Sequence, residues 1–127
     1  MADRINLSGD FRGAIINIKS TLTNVQQSVG EIRTDDQSAR KELEKLIGEL
    51  SEALQKVPEK NQEQAEAVAE TAKALVDTAK AEKPNKVMLQ ISGEGLKQAA
   101  KNLSDVMPLV VAIASQIVLT VAKLTGL

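Results

Sequence analysis

The sequence predicts a mainly α-helical fold, a small bundle of about four helices in a single domain, 1–127. Three observations favour this fold class. Aliphatic residues recur at spacings of three and four along most of the chain, which is the period of an amphipathic helix. Phe11 is the single aromatic residue, so the core must be built from aliphatic side chains. Hydrophobic residues make up 43% and charged residues 26% of the chain, ordinary proportions for a globular protein.

Changes in composition divide the chain into three parts. An N-terminal assembly segment with an irregular or short β structure is followed by a charged helical hairpin and by a long C-terminal helix that changes from amphipathic to apolar. These parts span 1–33, 35–83 and 92–126 respectively.

The N-terminal segment carries an apolar seam whose members alternate in spacing between four and three residues, as in a coiled coil. The seam consists of Phe11, Ile15, Ile18, Leu22, Val25, Val29 and Ile32. β-Branched residues, Asn and Ser are frequent in the same stretch, and their helix propensity is mediocre. We therefore expect a helix over roughly 18–32, and the residues alone leave open whether 4–17 is strand or helix.

The hairpin is bounded by capping residues and prolines. Asp35 or Asp36 can cap its first helix, which is expected to stop at Pro58. Asn61 can cap the second helix, which is expected to end near Pro84. The outward faces of both helices carry acidic and basic residues in alternation, which is typical of a solvated surface.

The C-terminal part is predicted to be one long helix capped by Ser92. If that helix is continuous, every charge between residues 94 and 123 falls on one side and most of the aliphatic residues fall on the other. Pro108 lies on the polar side, where it predicts either a bend open to solvent or a break near Asp105.

No charged residue occurs from Val106 to Ala122, a stretch of about 25 Å as a helix. A bilayer core needs about 30 Å, and no Trp or Tyr flanks the stretch, so a soluble core or subunit interface and a membrane contact both stay open. Leu109, Ala112 and Leu119 are apolar although they lie on the side that should be wet. The rest of the chain, a second copy or lipid must cover them.

Most catalytic chemistry is absent from the sequence. The chain has neither Cys nor His, which excludes thiol redox chemistry, disulfides, cysteine-type zinc sites and imidazole acid–base catalysis. Glu63, Glu66 and Glu70 share a helix face and could bind a divalent cation weakly, but no partner carboxylate has a defined spacing. Net charge is −1 and basic residues are interleaved with acids, so no nucleic-acid footprint emerges. We expect no enzyme activity, no cofactor, no metal and no nucleic acid.

Two stretches resemble a known group of proteins: "GDFRGAIINIKSTLTNVQQSVG" near the start and "KPNKVMLQISGEGLKQAAKNLSDVMP" before the apolar tail. They are similar to small bacterial modules, frequent in cyanobacteria, that occur alone or at the ends of larger proteins with pentapeptide repeats, NTPase or protease-like domains. The resemblance covers most of the chain and implies an accessory or effector-associated module in a multi-component bacterial system, with defence systems among the candidates. It carries no catalytic residues.

The leading prediction is a non-enzymatic helical module for protein–protein interaction and self-assembly, with a homo-oligomer or another protein as its partner. The alternative is a membrane-active or pore-forming effector that uses the apolar helix 106–122. The N-terminus lacks the apolar stretch of a signal peptide, so we expect a cytoplasmic protein that associates with membrane on activation in the alternative case. The candidate interaction residues are Phe11, Ile15, Ile18, Leu22, Val25, Val29, Leu109, Ala112 and Leu119.

Overall fold

The structure, a computed structural model, describes residues 7–126, with side chains from Phe11 onward. Five α-helices form it, and no strand occurs within 7–126. They are α1 (Leu7–Val29), α2 (Gln37–Leu54), α3 (Gln62–Ala79), α4 (Lys86–Lys101) and α5 (Pro108–Thr125), with a short 3-10 helix (Glu59–Asn61) ahead of α3.

The helices alternate in direction and close into a ring. Lys80, just after α3, lies 3.6 Å from the carboxylate of Glu31 and 3.4 Å from the hydroxyl of Ser28, so α1 and α3 end at the same end of the bundle and run parallel. α1 packs on α2 and α3, α5 packs on α2 and α4, and α3 packs on α4. The order around the ring is therefore α1, α2, α5, α4, α3.

The core is one continuous aliphatic cluster to which all five helices contribute. α2 places Leu43, Ile47, Leu50 and Leu54 in it, each with no exposed surface. α3 contributes mainly alanine and valine, which lets its neighbours approach closely. Full burial of one Leu or Ile side chain stabilises the fold by about 1.5–3 kcal/mol, so the ring depends chiefly on these contacts.

The short β structure predicted at the N-terminus is wrong for residues 7–17, which are helical as the first half of α1. Residues 4–6 of that expected segment lie outside the described residues. The cause is tertiary packing: Ala14, Ile18 and Leu22 are buried on one face of α1, and helical geometry alone brings that spacing to one side. Packing overrides the modest helix propensity of the β-branched residues.

The predicted cap of the hairpin's first helix is confirmed at Asp36 rather than Asp35. The Oδ1 atom of Asp36 accepts a hydrogen bond of 2.9 Å from the backbone N–H of Ala39. The guanidinium of Arg40 then donates to the backbone carbonyl of Ile32, which ties the start of α2 to the end of the preceding turn.

Asn61 occupies the position before α3, as predicted, but it does not act as a side-chain cap. Its Nδ2 atom donates to Oε1 of Gln64 at 3.2 Å. The backbone N–H of Asn61 donates to the carbonyl of Pro58 at 2.9 Å, so the 3-10 helix continues directly into α3. The entry into α3 is therefore set by a backbone turn that begins at Pro58.

Two predictions for the C-terminal part are wrong. α4 begins at Lys86 rather than after Ser92, because Oδ1 of Asn85 accepts from the backbone N–H of Met88 at 3.1 Å and caps the helix. The long apolar C-terminal helix is confirmed as α5, but it does not run unbroken over 92–126, because that stretch forms two helices, α4 and α5.

Of the two outcomes expected of Pro108, the break near Asp105 is the one found. The chain leaves α4 at Lys101, turns, and re-enters a helix with Pro108 in its first position. A proline there loses nothing, because the first amide of a helix has no partner inside the helix. The break reverses the chain so that α5 packs antiparallel to α4.

We expect Asp36→Ala to lower the free energy of unfolding by about 1 kcal/mol, because the Ala39 amide loses its capping partner. Asp35→Ala is the matched control, since it removes the same charge one residue earlier without removing that bond. Urea denaturation followed by helical circular dichroism measures both. Equal losses in the two variants would show that charge, and not the cap, stabilises the start of α2.

Candidate interaction surface

The inner face of α5 is confirmed as an apolar face of the bundle. Its buried residues are Val110, Ile113, Ala114, Ile117, Thr120, Val121 and Leu124. Thr120 is the one polar side chain among them, and its hydroxyl donates to the carbonyl of Gln116 at 2.8 Å. The inner face therefore holds α5 against α2 and α4 by aliphatic contact.

α4 and α5 approach each other closely at Gly93. A Cβ atom at this position would lie 3.3 Å from Cγ1 of Val118, which is tighter than nine in ten Cβ contacts. The absence of a side chain on Gly93 lets the two helices approach each other. Gly95, two residues later on α4, lies on the side that faces α3. It has room for a Cβ atom, whose nearest neighbour would be Cγ2 of Thr71 at 3.7 Å.

The outward face of α5 carries a row of exposed residues that we call the α5 stripe. It consists of Leu109, Ala112, Gln116, Leu119 and Lys123. The exposed fractions of Leu109 and Leu119 are 63% and 62%. Successive members are three, four, three and four residues apart, the spacing that aligns side chains along one side of a helix. Among the residues that the structure describes, none covers Leu109, Ala112 and Leu119, which are all exposed.

Polar and charged residues of α2 and of the turn that follows it border the stripe and form what we call the α2 edge: Ser38, Glu42, Glu49, Glu52 and Lys56. At one end, Ser38 and Glu42 line a cleft of about 280 Å³ with Leu119 and Lys123. At the other end, Glu49, Glu52 and Lys56 line a cleft of about 180 Å³ with Leu109. Each exposed leucine therefore lies beside carboxylates, while the one cation of the stripe lies at its C-terminal end.

The candidate interaction residues on α1 are in the bundle rather than on its surface. Ile18, Leu22, Val25 and Val29 are buried in the core. Phe11 and Ile15 are partly buried and pack against it. α2 and α3 therefore pack against the α1 seam, so Ile18, Leu22, Val25 and Val29 are not exposed to a partner and Phe11 and Ile15 are exposed only in part.

Sequence reasoning missed a second exposed apolar group at the start of α4, made of Val87, Met88 and Ile91. It was missed because the helix was expected to begin at Ser92, which left these residues in a loop. The available signal was Asn85, a strong N-cap residue directly after Pro84. Unlike the stripe, this group extends over little more than one helical turn.

Within residues 7–126, no group of three or more acidic side chains is placed to hold a metal ion. Glu63 and Glu70 are exposed and Glu66 is half-buried along α3. The observed ion pairs, such as Lys97 with Glu94 at 3.9 Å, are partly exposed pairs of the kind that contribute little.

Length and composition single out α5 in the described part of the chain as the one helix that could cross a membrane. It has 18 residues, of which 39% are buried in the bundle. The core helices of soluble proteins meet the same criteria, so this property by itself does not separate the two environments.

No protein-family model, curated protein or solved structure matches this chain. The resemblance to small bacterial modules is therefore a hypothesis that rests on the two sequence stretches alone.

The two glycines of α4 provide a matched test of the α4–α5 contact. Gly95→Ala should raise the free energy of unfolding by about 0.5–1 kcal/mol, because a helical glycine gains propensity where a Cβ atom fits. Gly93→Val should lower it by about 1–3 kcal/mol, because the added side chain forces α5 away from α4. Thermal and urea denaturation measure both. A stabilising Gly93→Val would contradict the close approach.

Proposed function

We propose that this chain is a non-enzymatic helical module that binds another protein chain through the α5 stripe. The observation that carries this proposal is the two-sided character of α5. Its inner face is buried in the core, yet Leu109 and Leu119 on its outer face are 63% and 62% exposed. The bundle itself supplies no cover for them.

The outward faces of the hairpin helices α2 and α3 serve for comparison, because they have the composition of a solvated surface. On α2 the exposed positions carry Lys41, Glu42, Lys45 and Glu49, and on α3 charged residues and alanine occupy the exposed positions, without a large apolar side chain. α5 differs because apolar residues recur along its whole exposed side. Large exposed apolar rows with polar borders mark interaction sites more often than free surface.

Burial of the two exposed leucines of α5 would stabilise a complex appreciably. Burial of one leucine side chain stabilises a complex by about 1.5–3 kcal/mol. Burial of both Leu109 and Leu119 would therefore contribute several kcal/mol to the free energy of binding. Ala112 lies between them and adds a small surface over which a partner's larger side chain fits. Such a short row of central apolar contacts with a charged border is the usual anatomy of a protein interface.

The remaining four helices act as a support in this proposal. They hold α5 rigid, so little conformational entropy is lost when the stripe is covered. The resemblance to bacterial accessory modules adds a context: the chain would recruit or assemble a component of a larger bacterial system, of which a defence system is one kind.

A membrane-active effector is the second candidate function, and the apolar length of α5 favours it. In this case α5 leaves the bundle and its inner face, with Ile113, Ile117 and Val121, meets lipid instead of α2 and α4. The helix spans about 27 Å, close to the thickness of a bilayer core. It must first separate from α4 at the Gly93–Val118 contact.

The double variant Leu109→Lys/Leu119→Lys tests the proposed function. Because both side chains are exposed, each substitution should change the free energy of unfolding by no more than about 0.5 kcal/mol, yet the added charges should abolish binding. Sedimentation velocity reports self-association, and affinity purification from the source cells reports other partners.

Val87→Lys/Ile91→Lys is the matched control, since these two residues are 62% and 59% exposed on α4 and the charge change is the same. It should leave binding intact. If both double variants bind as the unaltered chain does, or if the unaltered chain binds nothing in either assay, the proposed function is wrong.

A reversible disulfide bond between α4 and α5 tests the membrane alternative. Gly93→Cys/Val118→Cys would place two sulfurs across the close α4–α5 contact at these residues, in a chain without any other thiol. If α5 inserts into lipid, the reduced variant should release dye from anionic vesicles and the oxidised variant should not. Equal release in both states, or no lipid binding by the reduced variant, excludes insertion of α5.

A further inference from the structure

We infer that the partner covering the α5 stripe is a second copy of this chain, packed antiparallel with Gln116 on a two-fold axis. The inference rests on the proposed function and goes further by naming the occupant of the surface. Three properties of the stripe carry it: its symmetry about Gln116, the placement of its single cation, and the acidic residues of the α2 edge.

The stripe is nearly symmetric about its central residue. Leu109 and Lys123 lie seven residues on either side of Gln116. Ala112 and Leu119 lie four residues before it and three residues after it. A two-fold axis through Gln116 therefore places Leu119 of each copy against Ala112 of the other. A large side chain then meets a small one at both positions, which is how helices interdigitate at close distance.

The axis itself falls on a residue suited to it. Gln116 is exposed, and its amide has both donor and acceptor atoms. Two copies of this side chain can therefore bond to each other across the axis without leaving a buried charge. A central polar residue of this kind also fixes the register of two apolar helices.

The charges distinguish the antiparallel arrangement from the parallel one. In the antiparallel pair, Lys123 of one copy lies over Leu109 of the other, with its aliphatic stem on the leucine. Glu49, Glu52 and Lys56 of the α2 edge line the cleft beside Leu109, so the incoming ammonium group meets two carboxylates and one cation, a net negative charge. A parallel pair would instead place Lys123 against Lys123 and Ala112 against Ala112, which repels at one position and leaves a gap at the other.

The size of the surface sets the expected affinity. A contact about 27 Å long and two helices wide covers a footprint of about 500 Å² per copy. Stable complexes bury about 800 Å² per partner, so this dimer should be weak, with a dissociation constant in the micromolar range or above. Its measurement therefore requires protein at several hundred micromolar.

Disulfide trapping tests the arrangement directly, since the chain has no cysteine of its own. Three single variants of the full chain are made: Gln116→Cys, Leu109→Cys and Lys123→Cys. Under mild oxidation, Gln116→Cys should form a covalent dimer. Leu109→Cys alone and Lys123→Cys alone should not, because each pair of equivalent residues is about 21 Å apart along the helix. An equimolar mixture of the last two should form a mixed dimer.

Ile91→Cys is the control for random collision, because Ile91 is 59% exposed and lies away from the stripe.

A pair of charge reversals tests the same arrangement without a disulfide, by its effect on the dissociation constant of the dimer. Lys123→Glu should weaken self-association about five-fold, in line with the usual worth of the two exposed charge pairs of a symmetric dimer, and Glu52→Lys in the same chain should restore part of it.

The outcomes separate this inference from the proposed function. Dimers of Leu109→Cys with itself and of Lys123→Cys with itself would establish a parallel pair and overturn the antiparallel arrangement, while the stripe stays an interface. No trapping above the Ile91→Cys level, together with a monomer at several hundred micromolar in sedimentation, would overturn the second copy as occupant. In that event the proposed function depends on whether Leu109→Lys/Leu119→Lys abolishes recovery of a different protein.

Discussion

The missing amide hydrogen of Pro108 is the constraint on which the last third of this fold depends. A helix that ran straight from α4 through this residue would lose a backbone hydrogen bond and clash with the preceding turn. At the first position of a new helix the same residue costs nothing. The chain therefore turns between Lys101 and Pro108, and α5 returns along α4 to reach α2. Without that reversal the ring would be open, and the inner face of α5 would have no core to enter.

The return of α5 has a second effect, which concerns its outer face. A helix in a ring of five contacts two neighbours and leaves one side free. On α2 and α3 the free side is charged, so it is stable in water without help. On α5 it carries Leu109, Ala112 and Leu119, so the same geometry that completes the core also exposes an apolar row. Interaction with a partner and closure of the core are thus two consequences of where one helix is placed.

The sequence predicted the helical class because apolar residues three and four positions apart lie on the same side of a helix. The same rule predicted the inner face of α5. The strand expected near the N-terminus was wrong because propensity acts over a few residues, whereas burial of Ile18 and Leu22 depends on helices that are distant in sequence. The start of α4 was predicted at Ser92 because serine is a favoured N-cap residue, but the helix begins earlier, at Lys86, and Asn85 caps it. The spacing of apolar residues shows that one face of a helix is buried, but not whether its own chain or another protein buries it. The α1 residues were therefore candidate interaction residues, and the structure shows that most of them pack against this chain's own helices. The exposed residues of α5 were identified because their position conflicted with their polarity.

The alternation of five helices also determines where the two ends of the bundle's chain lie. α1 starts at the end opposite to its own last residue, Val29, and α5 finishes at the same end as Val29, so Leu7 and Thr125 lie at opposite ends of the bundle. An even number of helices would have returned the chain to the end at which it began. With an odd number, polypeptide joined before α1 and polypeptide joined after α5 would leave in opposite directions, about one helix length of 27 Å apart. In a tandem protein this bundle would behave as a rigid spacer that sets a fixed distance between its neighbours.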